Sequence, residues 1–232
     1  MHSIFSSQRR PARLRSGFTL VELLVVIGII AILAGVALGP ITNGLKKAKQ
    51  SSGMQTSHAL GLAMFAAAND NQQVYPDKAG GDASDIAKLL LTGGYVSDAS
   101  IFFISGGTAT KYTGTSASAI SSLTKTNISW DFTGDGGANN LTTTVAPYLP
   151  LLWSTVATAG EPTLTGTAAI TCNPQPTNPF QSAGVAIFYC NNAAQFVVST
   201  SMSGSNGVVT MVTAANNSQT TPAGVAPLVG GG

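Results

Sequence analysis

The sequence predicts an α+β protein. A long N-terminal helix spans a membrane with its first half and packs with its second half on an antiparallel β-sheet head. Three observations carry this reading. Residues Leu23–Ile41 form a run of 19 residues without a charge. Apolar and polar positions then alternate at helical spacing as far as Asn69. Late in the chain, Val185–Cys190 and Gln195–Thr200 flank Asn191-Asn192, a pattern of strand, tight turn and strand.

The first element is the membrane run. A helix rises 1.5 Å per residue, so the run covers about 28 Å, close to the ~30 Å hydrocarbon thickness of a bilayer. Arg9, Arg10, Arg13 and Arg15 precede it with no acid among them. Their charge places the N-terminal side in the cytoplasm, although Lys46, Lys47 and Lys49 lie beyond the other end. The chain of 232 residues carries 11 Lys+Arg against 9 Asp+Glu, a net charge of +2. Without the four arginines, seven lysines face nine carboxylates, a net charge of −2. The basic excess therefore belongs to the leader. Charged residues are 9% and apolar residues 44% of the chain. That balance excludes a solvated disordered chain and a broad cationic nucleic-acid face, and no nucleic-acid partner is expected.

Two simpler readings of the run compete. A cleaved secretory signal has a loose site at Ala37-Leu38-Gly39, but Pro40 follows at once and the run is long for such a signal. A plain anchor for an unrelated domain leaves Glu22 unexplained. An ionisable residue at the edge of hydrocarbon is costly and marks a functional position. If the helix begins near Phe18, Glu22 faces the positive end of its dipole.

Residues 15–26 read RSGFTLVELLVV. This segment resembles the leader and helix start of type IV prepilins and type II secretion pseudopilins. The shared features are a short basic leader, a Gly, a Phe, a Glu at the fifth mature position and an apolar run. The resemblance implies cleavage between Gly17 and Phe18 by a prepilin peptidase that also N-methylates Phe18. Glu22 is then implied to pair with the new N-terminus of a neighbouring subunit. The implied product is a pilin-like structural subunit of a pilus or pseudopilus, not an enzyme. Its implied partners are other copies of the chain in a helical filament, the peptidase, an inner-membrane assembly platform, and membrane lipid before assembly. The implied location is the bacterial inner membrane, single-pass, with the head in the periplasm. The alternative is an envelope-anchored adhesin or DNA-uptake module on the same anchor. The near absence of His and the lack of a nucleophile motif argue against an anchored hydrolase.

Chemistry supports the pairing independently. Each charge alone near hydrocarbon is costly, and together they offset much of that cost and set a register. Gly28, Ala31, Ala34, Gly35 and Ala37 allow close helix approach, as general Gly/Ala tolerance in membrane helices also does. Gly39-Pro40 is expected to bend or locally melt the helix.

The expected organisation is a leader at 1–17, a membrane or filament-core helix at 18–41, its continuation at 42–69, a head at 70–213 and a flexible tail at 214–232. In the continuation, Leu45, Ala48, Ala59, Leu62, Ala63, Ala66 and Ala67 form a face, widened by Leu60, Met64 and Phe65. Gly53 and Gly61 each lower helix propensity by about 1 kcal/mol. Asp82 or Ser84 caps a short helix ended by Gly93-Gly94. Tyr95-Val96 and Ile101–Ile104 read as extended, 105–126 as loop, and Ile128–Phe132 and Leu149–Val156 as strands. After a turn at Ser203–Gly207, Val208–Thr213 completes a three-stranded meander with the two late strands. Asp77, Asp82, Asp85 and Asp98 read as solvated loop charge, and His58 as a groove or surface residue.

Two further sites follow from the family resemblance. Type IV pilins often have a disulfide near the C-terminus, and Cys172 and Cys190 are the only cysteines here. Closing that loop would stabilise by ~3 kcal/mol in the chain-entropy model. Two separate buried thiols are the other reading. Major pseudopilins often bind calcium in a late loop, and Asp131 and Asp135, with Asn139 and Asn140 nearby, offer oxygen ligands for a structural Ca²⁺. The spacing is not that of an EF-hand, and an Asx-rich turn is the competing reading.

Overall fold

A computed structural model describes residues 17–114, 120–138, 141–144, 147–156, 162, 164, 169–174, 177–199, 209–212 and 226–228. The leader as far as Ser16, the expected turn at Ser203–Gly207, and Asn139-Asn140 lie outside these residues. The chain divides into two compact units, Met1–Lys46 and Lys47–Gly232. One helix, α1 (Leu20–Asp70), contributes to both.

In the first unit α1 is apolar on every side. Leu23, Leu24, Val25 and Leu33, which lie at four directions round the helix, are all more than half exposed within the chain. The helix is long and apolar enough to cross a membrane. It continues through Pro40 instead of melting there. Proline removes one donor, toward the carbonyl four residues back, and the surrounding turns keep theirs. Thr42 Oγ1 donates to the Gly39 carbonyl at 2.9 Å within the same stretch.

In the second unit, the end of α1 packs against a head. Its buried positions are Gly53, Ser57, Leu60, Gly61, Ala63, Met64, Ala67 and Ala68. This face is rotated from the expected one: Leu45, Leu62 and Phe65 stay at least 40% exposed. The cause is ring packing on the two glycines. A Cβ at Gly53 would lie 2.2 Å from the Phe180 ring, and one at Gly61 2.2 Å from the Phe188 ring. His58 meets Phe188 edge-on at 5.9 Å between centroids.

α2 (Ala83–Thr92) starts at Asp82, whose carboxylate accepts from Ser84 N at 2.8 Å, while Asp85 accepts from Asp82 N at 3.1 Å. This reciprocal pair satisfies donors that the first turn would otherwise leave open. Gly93 ends the helix by donating to Leu89 O at 2.9 Å. The expected extended segment at Ile101–Ile104 begins instead as a 3₁₀ turn, Ala99–Phe102. Asp98 caps it, accepting from Ser100 N at 2.8 Å.

The main sheet contains β1 (Trp130–Gly134), β2 (Pro150–Ser154), β4 (Gly184–Tyr189), β5 (Ala194–Val198) and β7 (Ala226–Leu228), in the order β5-β4-β2-β1-β7. All its pairings are antiparallel. The β4–β5 hairpin turns at Asn191-Asn192, where Asn192 has φ +65. The meander does not extend to a third strand. β6 (Val209–Val212) pairs instead with β3 (Ile170–Cys172) in a separate two-stranded sheet. β7 falls inside the expected flexible tail: Leu228 is 8% exposed and stands opposite Phe132. Trp130, Phe132, Trp153 and Phe188 fill the core with Leu60 and Met64 of α1 and Ile86 and Leu90 of α2.

Gly61→Ala tests the ring packing. Helix propensity alone favours alanine by about 1 kcal/mol. Overpacking against Phe188 costs about 1–3 kcal/mol, so the variant is expected to melt at lower temperature. A rise in melting temperature would show that the ring gives way without cost.

Candidate functional site: the start of the helix

The residues singled out in the sequence, Gly17, Phe18 and Glu22, lie together where α1 begins. Gly17 to Thr19 are outside regular structure, and the helix starts at Leu20. Both sides of the Gly17–Phe18 bond are open. A Cβ at Gly17 would meet nothing within 4 Å, and Phe18 is 80% exposed.

Thr19 is the N-cap and Glu22 the third helical residue. Glu22 Oε2 accepts from Thr19 N at 2.9 Å and from Thr19 Oγ1 at 2.7 Å. In return Glu22 N donates to Thr19 Oγ1 at 3.2 Å. The first main-chain bond, Leu23 N to Thr19 O at 3.3 Å, closes behind this pair. The arrangement is a capping box, in which each side chain serves the other's backbone donor. It also puts the carboxylate at the positive end of the helix dipole. Both Thr19 bonds go to Oε2, so Oε1 still presents lone pairs to another donor. Thr19 was not singled out in the sequence, yet the Thr-x-x-Glu spacing ahead of an apolar run is the signal for this cap.

Residues 12–38 match the family model of the prokaryotic N-terminal methylation motif. No curated protein and no solved structure matches the chain. The match supports the resemblance to the type IV pilins and pseudopilins on the residues that first suggested it. The α+β architecture, a long apolar-fronted N-terminal helix with an antiparallel sheet, is pilin-like.

The other expected sites fare differently. No disulfide joins Cys172 to Cys190. Cys172 ends β3 in the two-stranded sheet, and Cys190 follows β4 in the five-stranded one. Burial pushes the Cys190 thiol from its ordinary 9.0 up to about 12.

Asp131 and Asp135 are not brought together either. Three strand residues, hence four steps of chain, separate them, about 13 Å at strand rise. Asp131 is fully buried and accepts from Thr155 Oγ1 at 2.6 Å and Val156 N at 3.0 Å. Asp135 accepts from Ala138 N at 3.1 Å and Leu141 N at 3.0 Å, as the acceptor of a tight turn. Among the described residues no three His, Cys, Asp or Glu side chains are grouped to hold a metal.

Asp77 has more structure than a solvated loop charge. Its Oδ2 accepts from Asp135 N and Gly137 N, both at 2.8 Å, and ties its loop to the end of β1. Asp85 meets Lys78 Nζ at 2.7 Å.

The Cys190 environment gives a pH-dependent expectation. The fold favours the thiol over the thiolate, so its contribution is fully present below the ordinary thiol pKa. It is lost as pH rises from about 9 toward about 12. Native protein is expected to react slowly with iodoacetamide at pH 8 and rapidly once denatured. Rapid native labelling at Cys190, or an intact mass lower by two hydrogens, would overturn this picture.

Proposed function

We propose that the chain is a structural subunit of a type IV pilus-like or type II secretion pseudopilus filament. A prepilin peptidase cuts after Gly17 and methylates Phe18. The subunit is held in the inner membrane by the first half of α1, with its head on the periplasmic side. An assembly platform then draws it into a polymer of its own kind.

The observation that carries this reading is Glu22 in its capping box, inside the matched motif. Cleavage leaves an α-amine on Phe18, beside the Thr19 amide that already bonds Glu22. The carboxylate can keep its own helix capped through Oε2 and take the ammonium of a neighbouring subunit on Oε1. Burying the apolar helix among copies supplies most of the attraction, and the ion pair sets the stagger. A buried charge that loses its partner is destabilising by about 3–5 kcal/mol, enough to decide register.

Mass spectrometry of the mature protein is expected to find an N-methylated chain beginning at Phe18. Glu22→Ala is expected to be processed normally and to lose assembled filament in sheared fractions. A mature chain that retains Met1 refutes the processing step. Wild-type filament yield from Glu22→Ala refutes the pairing.

A further inference from the structure

Lys49 lies on α1 within the second unit and has no acidic partner among the described residues. Its Nζ donates to the Pro179 carbonyl at 2.6 Å and sits 5.8 Å from the centre of the Phe180 ring. An ammonium carries three donors, and one is used here. The one ion pair among the described residues is Lys78–Asp85, elsewhere in the head. Burial lowers the Lys49 pKa, as expected of a cation whose neighbours are neutral.

A cavity of about 360 Å³ opens beside this ammonium. Lys111 lines it as well, together with Ser52, Thr56 and Ser105, and no carboxylate lines it. Thr56 Oγ1 donates to Ser52 O at 2.9 Å, and both residues line the space. Asp98 accepts from Ser100 Oγ at 2.6 Å and Ser100 N at 2.8 Å, which hold its carboxyl below the ordinary carboxylate range. It also feels the charge of Lys111, so Lys111 is partly compensated whereas Lys49 is not.

Gly106 packs against the Lys49 ammonium. A Cβ there would lie 2.4 Å from Nζ, and the residue has φ +98, so only glycine fits both the backbone and the ammonium. The loop therefore closes tightly on a cation that lacks an anion.

We propose that this cavity binds a phosphate group between the ammonium groups of Lys49 and Lys111, with hydroxyl donors at Ser52 and Ser105. Two lysines from separate segments supply charge, and a tetrahedral oxyanion can accept from both at once. The size is in the range of small-ligand sites. Phosphate reaches it from solution or as a lipid headgroup. Lys49 lies eight residues after Ile41, where the uncharged run ends, which makes the membrane source worth a separate arm.

Isothermal titration of the full chain in zwitterionic detergent with inorganic phosphate tests this, against chloride as the reference anion. One saturable site is expected. Lys111→Gln and Lys49→Met should each weaken it by about tenfold, the loss of one charge-assisted bond. Lys88→Gln, a neutralised lysine outside the cavity, should leave it unchanged. Circular dichroism checks that each variant is folded. A dilution heat alone, or equal binding by all three variants, overturns the proposal. Repeating the titration in phosphatidylcholine nanodiscs with and without phosphatidylglycerol identifies the source. Suppression by phosphatidylglycerol assigns the site to a lipid phosphate, and unchanged binding assigns it to the soluble ion. None of these readouts depends on cleavage or polymerisation.

Discussion

A carboxylate at the mouth of an uncharged helix must be satisfied, and the N-terminal segment is arranged around that constraint. Glu22 is the only ionised group between Gly17 and Ile41. It could not stand bare next to hydrocarbon without a large penalty. The chain answers locally first. Thr19 gives it two donors, and the helix dipole adds a favourable field. That local answer fixes where the helix begins, two residues beyond the proposed cleavage point. It also leaves one oxygen without a donor among the described residues. A plain anchor has no use for such a remainder, whereas a subunit that must find its register against a copy does.

The head is organised by a different constraint, the close approach of aromatic rings to α1. Phe180 and Phe188 come so near Gly53 and Gly61 that a larger residue fits only if the rings shift. The two glycines are eight residues apart, a little over two turns, so both face the same side. Ser57, Leu60 and Met64 fall between or beside them on that side and are buried with them. The ring contact thus selects which stripe of the helix becomes core. It also draws β4, which bears Phe188, onto the helix, and the rest of the sheet is hydrogen-bonded outward from β4 through β2 and β1.

Much of this was legible in the sequence, for reasons that differ element by element. The uncharged run, the Glu22 spacing and the Asn-Asn hairpin are local patterns, and local patterns survive folding. The buried face of α1 differs from the one the pattern predicts because, locally, Gly53 and Gly61 read only as a loss of helix propensity. Their role appears only once a distant ring is known to land on them. Val209–Val212 reads as a strand, but its partner, Ile170–Cys172, is a three-residue segment with no turn to announce it. β7 hides in a Pro-, Thr- and Gly-rich tail for the same reason: pairing with β1 makes it a strand, not propensity. The roles of two acidic residues of the head are not visible in the sequence. Asp77 and Asp98 look like solvated charge, yet each accepts backbone donors at a loop or helix start. Short carboxylates in loops can accept from nearby backbone N–H groups instead of facing solvent.

The first half of α1 narrows what can surround it. An amphipathic helix lying on a membrane surface would show one apolar stripe and one charged face. Here Leu24, Ile27, Ile30 and Leu33 point in different directions around the helix, and all are more than half exposed within the chain. Contiguous apolar surface of that extent is not found on soluble monomers. A single docking groove would cover only one side. The helix therefore needs an apolar environment all round, which a bilayer supplies and a bundle of like helices supplies equally. Passing from one to the other exchanges lipid tails for Leu, Ile and Val with little change in apolar burial. In the proposed assembly the exchange alters the partner of Glu22, and so the carboxylate, rather than the greasy surface, would distinguish the two states.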